Sequence, residues 1–486
     1  MNSNNIMNKA KTSFLWSFCE KVSVQGLGFI VSLVLARLLS PEDYGTIAII
    51  TVFCTIANVF IDCGILKSLI QNQNCKEIDY STAFLMNVML GVFCYILLYI
   101  SSPFIAIFFK MPTLCNITRV YAIVLIVTSL NVVQRARYQK VYNFRTITVI
   151  SLVALLVGGS CGLYLAFAGY GVWALVFYYL VMETVRTILY WVLGGWCPAF
   201  VFSKHSFKRI YSFSSKLLAA NMFHIIVYNL YTFVVGKIYN ATVLGVFSRG
   251  QSIANLFPAN MSYVMEQASY PVLCNVQNDK SLLKYYFDRY VQLSFALTVP
   301  VCSLLIILAK PLVLVILTDK WIEVVYFVQV LAIAYAFDPI MRLNAVVVNT
   351  TGKSEYSLYS EILKKTFLII ILIVTCFWGI KAMAWGMVLN SIADIFVVMF
   401  FVKKVTGYSF MDEVKNLSSY LFSSLILMLF VFICTYYIYN EYLKIVCGCI
   451  VGFIAYSCSL RLLAKKQFHQ IINLVRSIIK SNNAKS

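Results

Sequence analysis

The chain has 486 residues, of which 61% are hydrophobic and only 12% are charged, and its mean hydropathy is +0.82. A soluble globule cannot bury that much apolar surface, so the composition predicts a polytopic membrane protein. We attribute the net charge of +20 to membrane topology and anionic lipid headgroups, because no basic soluble module is present to bind nucleic acid. The 15 cysteines are scattered through apolar runs, which is typical of core residues and predicts neither disulfides nor a metal site.

Apolar runs of about twenty residues, the length that crosses a bilayer core, recur along the whole chain. They predict an all-α polytopic membrane protein with about 14 transmembrane helices. In chain order we expect an N-terminal six-helix lobe (residues 1–196), a cytoplasmic connector (197–210), a C-terminal six-helix lobe (211–404), an extra helix pair (405–463) and a basic amphipathic cytoplasmic tail (464–486). Most lysines and arginines fall on one side of this arrangement, which places both termini in the cytoplasm.

Two turns of the sequence share an outline. RLLSPEDYG at Arg37–Gly45 and KIYNATVLG at Lys237–Gly245 each contain a basic residue, an apolar pair, a short polar turn and a glycine. IANVF at residues 56–60 and IANLF at residues 253–257 follow the two turns at nearly the same distance. The pattern predicts a duplicated membrane bundle with a shift of about two hundred residues.

Charges inside the predicted spans require partners or a water-filled cavity, because each costs about 2.5–3.5 kcal/mol at the bilayer centre. Some charges have an opposite charge three or four residues away and are predicted to form structural ion pairs on one helix face. These pairs are Glu183 with Arg186, Asp338 with Arg342, and Glu361 with Lys364.

Three cations are candidates for binding a phosphate group. Arg249 has no acid three or four residues away, and its guanidinium matches the geometry of phosphate oxygens. Lys21 heads a polar face of the first span that Gln25 continues, although the same face also fits small-residue helix packing with a snorkelling lysine. Lys216 comes just before the polar stripe of the seventh span.

That stripe contains Asn221, His224 and Tyr228, which are hydrogen-bonding and stacking groups suited to sugar rings. Alternatively, these are core residues whose hydrogen-bonding groups are paired within the helix bundle. Asp62 and Asp394 lie deep in other spans, where a carboxylate can exchange a proton or help to hold sodium. They are equally explained as partners of Lys21 or Arg249 across helices.

Four stretches of the chain resemble the bacterial polysaccharide transporter family, the Wzx-type flippases of the multidrug/oligosaccharidyl-lipid/polysaccharide exporter superfamily. They are LVLARLLSPEDYG, KIYNATVLGVFSRGQSIANL, QASYPVLCNVQND and KPLVLVILTDKW. The resemblance implies a V-shaped pair of six-helix lobes, alternating access, and a lipid-linked oligosaccharide on an undecaprenyl pyrophosphate carrier. Arg249, Gln251 and Asn255 fall on the family's pattern, whereas its proline comes one residue late, at Pro258, where we expect a helix break.

The resemblance therefore predicts a flippase that serves capsule, O-antigen or exopolysaccharide biosynthesis in the bacterial cell (inner) membrane. The predicted pyrophosphate contacts are Arg249, Lys21 and Lys216; the glycan contacts are Gln25, Asn221, His224, Tyr228, Gln251 and Asn255; the ion-coupling candidates are Asp62 and Asp394. Membrane lipids, a polysaccharide polymerase and chain-length proteins are the expected partners. We predict no catalytic residue, cofactor or enzyme activity.

Three alternatives remain at this stage. A multidrug-extrusion-type cation antiporter requires an acidic cavity, and the spans hold at least as many cations as acids. A membrane polysaccharide polymerase or ligase requires catalytic residues at a wetted face, usually on a long external loop, and the outward connections here are short. A non-transporting scaffold for polysaccharide assembly is the third.

Overall fold

The computed structural model describes residues 3–62, 64–71, 75–199, 201–463 and 465. It is 88% helical, and the described residues contain no strand, which confirms the predicted all-α class. Ten helical segments in this part of the chain are long and apolar enough to cross a membrane. The chain is therefore a multi-pass membrane protein, while the count of fourteen spans stays a prediction.

The helices form two compact units, residues 1–248 and 249–486. The first unit contains α1 (Ser3–Leu38), α2 (Pro41–Asp62), α3 (Ile65–Gln71), α4 (Glu77–Phe108), α5 (Thr113–Tyr121), α6 (Ile123–Ser129), α7 (Val132–Lys140), α8 (Phe144–Phe167), α9 (Val172–Gly194), α10 (Lys204–Tyr228), α11 (Leu230–Ile238) and the start of α12 (Ala241–Asn275). The second contains the rest of α12, α13 (Lys280–Ile316), a 3-10 turn (Asp319–Trp321), α14 (Val324–Tyr335), α15 (Asp338–Thr350), α16 (Ser354–Cys376), α17 (Ile380–Thr406), α18 (Phe410–Tyr436) and α19 (Glu441–Leu463). The predicted lobe boundaries stay predictions, and the predicted tail (464–486) lies outside the described residues except for residue 465.

The four predicted spans that are not among the ten apolar segments fall on α1, α10, α12 and α16. In α1 the apolar part is short, Ser23–Leu38. The other three carry several charged or amide side chains along their length. Polar helices at membrane depth are tolerated where they face protein or a water-filled cavity.

Helix starts follow from short capping sequences. Before α2, the Ser40 hydroxyl accepts a hydrogen bond from the Asp43 backbone N–H at 3.2 Å, and the Asp43 carboxylate accepts one from the Ser40 N–H at 2.9 Å. Pro41 between them occupies the first helical position, where its missing N–H has no helical partner to lose. Ser409 and Asp412 make the same capping box at the start of α18.

The helix break expected at Pro258 is wrong, because α12 runs without interruption through Pro258 and Pro271. Proline removes one backbone hydrogen bond, which neighbouring helices and side chains can compensate inside a membrane bundle. Two other spans are interrupted instead. Residues 113–140 are divided into α5, α6 and α7, and residues 324–350 are divided into α14 and α15.

The segment after α9 is fixed along the start of α4. Trp196 packs edge-on against Tyr80 and Phe84, and its indole N–H donates to the Glu77 carboxylate at 2.5 Å. Further along, the Ala199 and Ser203 backbone N–H groups donate to the hydroxyls of Ser81 and Thr82. The predicted connector (197–210) is thus attached to the first unit by backbone hydrogen bonds in addition to its covalent ends.

Candidate functional site

The first unit contains a polar cavity of about 650 Å³. That volume lies in the range of small-molecule binding sites. Its polar and charged lining is Thr55, Asn58, Asp62, Thr128, Asn131, Arg135, Ser151, Glu183, Arg186 and Tyr190. These residues come from helices α2, α6, α7, α8 and α9 and from the break between α6 and α7, so the cavity lies among membrane helices.

The break between α6 and α7 supplies part of the wall. Leu130 and Asn131 are outside both helices, and the Leu130 carbonyl accepts a hydrogen bond from the Trp191 indole at 3.1 Å. The Asn131 amide donates to the Thr187 hydroxyl at 2.9 Å. Irregular backbone within a membrane bundle requires such partners, and these two hydrogen bonds provide them at the helix break.

Arg135 lies one turn after this break, on α7, and is an exposed residue on the cavity wall. Within the part of the chain that the structure describes, its guanidinium has no ion-pair or hydrogen-bond partner. An arginine without a carboxylate beside it keeps all of its donors for a ligand. Arg135 is therefore the group in this cavity best placed to bind an anion.

Arg186 is the second arginine on the wall. It forms an ion pair with Glu183, one turn earlier on α9, and the two side chains are only 23% and 14% exposed. The Arg186 Nε is buried and has no hydrogen-bond partner among the residues described. The predicted pairing is confirmed, and it holds a guanidinium at the cavity with one donor unused.

The other two predicted ion pairs also form, in the second unit. The Arg342 guanidinium lies 3.9 Å from the Asp338 carboxylate and 3.5 Å from that of Glu266, so it joins two acids. Lys364 pairs with Glu361 on α16.

Of the residues predicted to bind substrate or ions, Asp62 is the one found in the described lining of the cavity. It is the last residue of α2 and is exposed. On α1, Lys21 is half-buried and Gln25 is exposed, and Val24 between them contributes to the wall.

On α10, Asn221, His224 and Tyr228 are all exposed, and the rings of His224 and Tyr228 stack with centroids 6.2 Å apart. Their neighbour Ile225 contributes to the cavity wall. The polar stripe is thus adjacent to the cavity lining. Lys216 lies in the same helix, but its side chain is outside the described residues.

The remaining candidates belong to the second unit. Arg249 is only 6% exposed, and the Gln251 amide donates to the Tyr335 hydroxyl at 2.8 Å. The Asn255 side-chain oxygen is buried without a hydrogen-bond partner among the described residues. Asp394 accepts a long hydrogen bond, 3.4 Å, from Asn390. Their predicted roles stay predictions.

Sequence reasoning missed Asn131, Arg135 and Arg186 as site residues. Arg135 is part of a basic stretch that the positive-inside rule explains without any ligand, and Arg186 has a partner at helical spacing. The available signal was Thr128, Ser129 and Asn131, a polar cluster that interrupts an otherwise apolar span.

Comparison with known proteins gives consistent results. The family model described as "Polysaccharide biosynthesis protein" matches residues 34–326. A Klebsiella pneumoniae protein described as "Uncharacterized membrane protein in cps region" is 25% identical over 437 residues, covering 88% of this chain and 90% of its own. The lipopolysaccharide biosynthesis protein WzxC of Escherichia coli K12 is 24% identical over 412 residues, covering 83% and 82%. Among solved structures, the lipid II flippase MurJ in an inward closed conformation aligns with a TM-score of 0.72 at 15% identity, covering 93% of this chain and 99% of MurJ, which shows a shared fold.

Proposed function

The chain belongs to the polysaccharide biosynthesis protein family, and on that basis we propose that it is a lipid-linked oligosaccharide flippase. The substrate is an oligosaccharide repeat unit on undecaprenyl pyrophosphate, and it moves from the cytoplasmic to the outer leaflet of a bacterial membrane. The product serves capsule, O-antigen or exopolysaccharide assembly. Transport proceeds by alternating access and makes or breaks no covalent bond.

The observation that carries this proposal is the guanidinium of Arg135, which has no partner among the described residues and lies on the wall of a cavity in the first unit. A pyrophosphate carries several negative charges, so a site that binds it needs fixed cations. Arg135 supplies one planar set of donors, and Arg186, paired with Glu183, adds a second guanidinium group to the same wall. Arg249, Lys21 and Lys216 remain predicted pyrophosphate contacts.

The glycan is held by neutral polar groups. The Thr128 hydroxyl donates to the Asn58 side-chain oxygen at 3.2 Å, so the two side chains form one polar strip on the wall. Asn221, His224 and Tyr228 continue this surface on α10, where exposed amide and ring groups suit sugar hydroxyls and sugar faces. The prenyl chain needs no protein pocket, because it stays in the lipid phase.

The chemistry of the cavity disfavours export of cationic drugs. Its described charged lining is two arginines and two acids, and one of the acids is already paired with Arg186. An unpaired arginine repels a cation and attracts an anion. We further propose that both termini lie in the cytoplasm, which the distribution of basic residues supports, and that a polysaccharide polymerase and chain-length proteins are partners.

The test is complementation of a bacterial strain that lacks its own flippase, with surface polysaccharide as the readout. Arg135→Gln, Arg135→Lys and the wild type are compared at matched membrane levels. The control is Arg461→Gln, an exposed arginine in the last turn of α19. We expect Arg135→Gln to lower polymer at least about tenfold and to leave lipid-linked repeat units on the cytoplasmic side, because the pyrophosphate loses a guanidinium partner.

Arg135→Lys keeps the charge but not the fork and is expected to retain part of the activity. Arg461→Gln is expected to behave as the wild type. A wild-type amount of surface polysaccharide in Arg135→Gln would show that the substrate does not depend on this cavity for transport. Purified wild-type protein in proteoliposomes gives a direct assay: failure to move a fluorescent lipid-linked oligosaccharide would overturn the flippase assignment itself.

A further inference from the structure

The second unit contains another buried polar cluster, where α13, α15 and α18 meet. Glu413 on α18 is 3% exposed and Asn344 on α15 is fully buried. Both lie in an apolar core that includes Phe287, Leu343 and Leu417. A carboxylate in such surroundings is destabilised unless donors or a positive charge compensate it.

Neither side chain has that compensation. Both carboxylate oxygens of Glu413 and both amide atoms of Asn344 lack a hydrogen-bond partner among the residues that the structure describes. The Asn344 amide lies beside the Glu413 carboxylate without making a well-formed hydrogen bond to it. Four buried polar atoms therefore lie in one cluster, and each of them can form a further hydrogen bond.

A second carboxylate is close enough for its charge to act on Glu413. Asp288 on α13 is held as an acceptor by three donors: the Tyr408 hydroxyl at 2.5 Å, the Asn416 amide at 2.8 Å and the Gln292 amide at 2.7 Å. Asp288 is half-buried, and an added positive charge would relieve the repulsion between two such neighbouring carboxylates.

Lys284, one turn before Asp288, does not supply that charge. Lys284 on α13 pairs with Asp412 on α18 at 3.2 Å, and both side chains are 44% exposed. This pair lies at the surface and is neutral as a whole. The cluster of buried Glu413, buried Asn344 and half-buried Asp288 therefore keeps an excess of negative charge among the described residues.

We propose that Glu413, Asn344 and Asp288 form a binding site for one small monovalent cation, delivered as a proton or as sodium. Carboxylate and amide oxygens are hard ligands that suit sodium, and a proton on Glu413 gives the Asn344 oxygen a donor. The bound cation joins α18 to α13 and α15. Occupancy of the cation site thus sets how firmly α18 and α19 pack on the other helices of the second unit.

This inference goes beyond the proposed transport function, and its test needs no transport. The full-length protein is purified in detergent, and its melting temperature is followed by intrinsic fluorescence. Sodium chloride is titrated against choline chloride at constant ionic strength, at several pH values. A ligand that binds the folded protein alone raises the melting temperature as its concentration rises.

A saturable rise with sodium identifies sodium as the cation. A rise on acidification in sodium-free buffer, with no sodium effect, identifies the proton. A wild type that responds to neither overturns the proposal. Because transport is not measured, this result leaves the flippase assignment unaffected.

Two variants locate the effect. Glu413→Gln keeps the shape and removes the charge, so it is expected to lose the cation dependence and to melt no lower than the wild type without cation. Asn344→Leu removes one oxygen ligand and is expected to raise the concentration needed for the half-maximal shift at least about tenfold. Glu355→Gln, an exposed acid in the first turn of α16, is the control and keeps the wild-type response. An unchanged response in Glu413→Gln overturns the site.

Discussion

Gly45 on α2 and Gly245 on α12 lie against each other's helix start in a reciprocal contact. A Cβ built on Gly45 would lie 1.7 Å from the Ala241 carbonyl oxygen, and one built on Gly245 would lie 1.8 Å from the Pro41 carbonyl oxygen. Each glycine Cβ would also lie about 3 Å from the other glycine's backbone nitrogen. The two turns that the sequence aligns as a repeat thus pack backbone to backbone within the first unit.

Gly45→Ala tests this contact. The added methyl group would overlap a backbone carbonyl, which no side-chain rotamer can relieve, so the helices must separate. We expect a loss of about 1–3 kcal/mol of stability and a loss of transport, since the predicted topology places both turns at the outer end of the bundle. Thermal unfolding of the purified protein and complementation measure the two effects.

The matched control is Gly26→Ala on α1, where a Cβ meets no atom within 4 Å. Alanine there improves helix propensity and is expected to leave stability and transport at or above the wild-type level. Wild-type behaviour of Gly45→Ala would show that the close approach is dispensable.

This pair of residues also shows what sequence could and could not provide. The shared basic residue, polar turn and glycine predicted two equivalent turns, because a repeated pattern can be recognised from sequence alone. The contact between the two turns was not predicted, because a sequence repeat does not show how far apart its two copies lie in the folded protein. The cavity was missed for a related reason: the break at Leu130 and Asn131 lies inside a span whose composition still indicates one continuous helix.

The Glu183–Arg186 pair has two roles that can be separated, stabilising α9 and presenting a guanidinium to the cavity. Either single change to glutamine breaks a largely buried pair and is expected to cost about 3–5 kcal/mol. The exchange Glu183→Arg with Arg186→Glu restores opposite charges and is expected to recover most of the stability. It does not restore transport, because the guanidinium has moved by one helical turn.

Glu441 and Lys444 on α19 are the control for this exchange, since they form a pair of the same spacing and similar exposure outside the cavity. Exchanging them is expected to preserve stability and polymer production. If the variant with Glu183 and Arg186 exchanged transports at the wild-type level, the pair has only a structural role.

Arg249 is the cation that sequence reasoning favoured most, and its 6% exposure makes its replacement costly in either role. Arg249→Ala is expected to abolish polymer at matched membrane levels, with lipid-linked repeat units accumulating on the cytoplasmic side. Arg249→Lys keeps a charge without the planar fork and is expected to retain partial activity if the charge binds the carrier. Full activity in both variants would exclude Arg249 from substrate binding and leave Lys21 and Lys216 as the remaining predicted cations.

The two coupling candidates differ in their surroundings, and we predict that Asp394 couples transport to an ion whereas Asp62 does not. Asp394 on α17 has one buried side-chain oxygen without a hydrogen-bond partner among the described residues. The charges of Lys364 and Lys365 on α16 act on its carboxylate. A change in the charge of Asp394 therefore alters how α16 and α17 interact. Asp62 is exposed at the cavity, where water can solvate its carboxyl group.

In proteoliposomes with an imposed sodium or proton gradient, Asp394→Asn is expected to transport at the rate seen without a gradient. Asp62→Asn and the control Asp319→Asn, an exposed residue of the 3-10 turn, should keep the stimulation. Stimulation that survives in Asp394→Asn and disappears in Asp62→Asn would reverse the assignment.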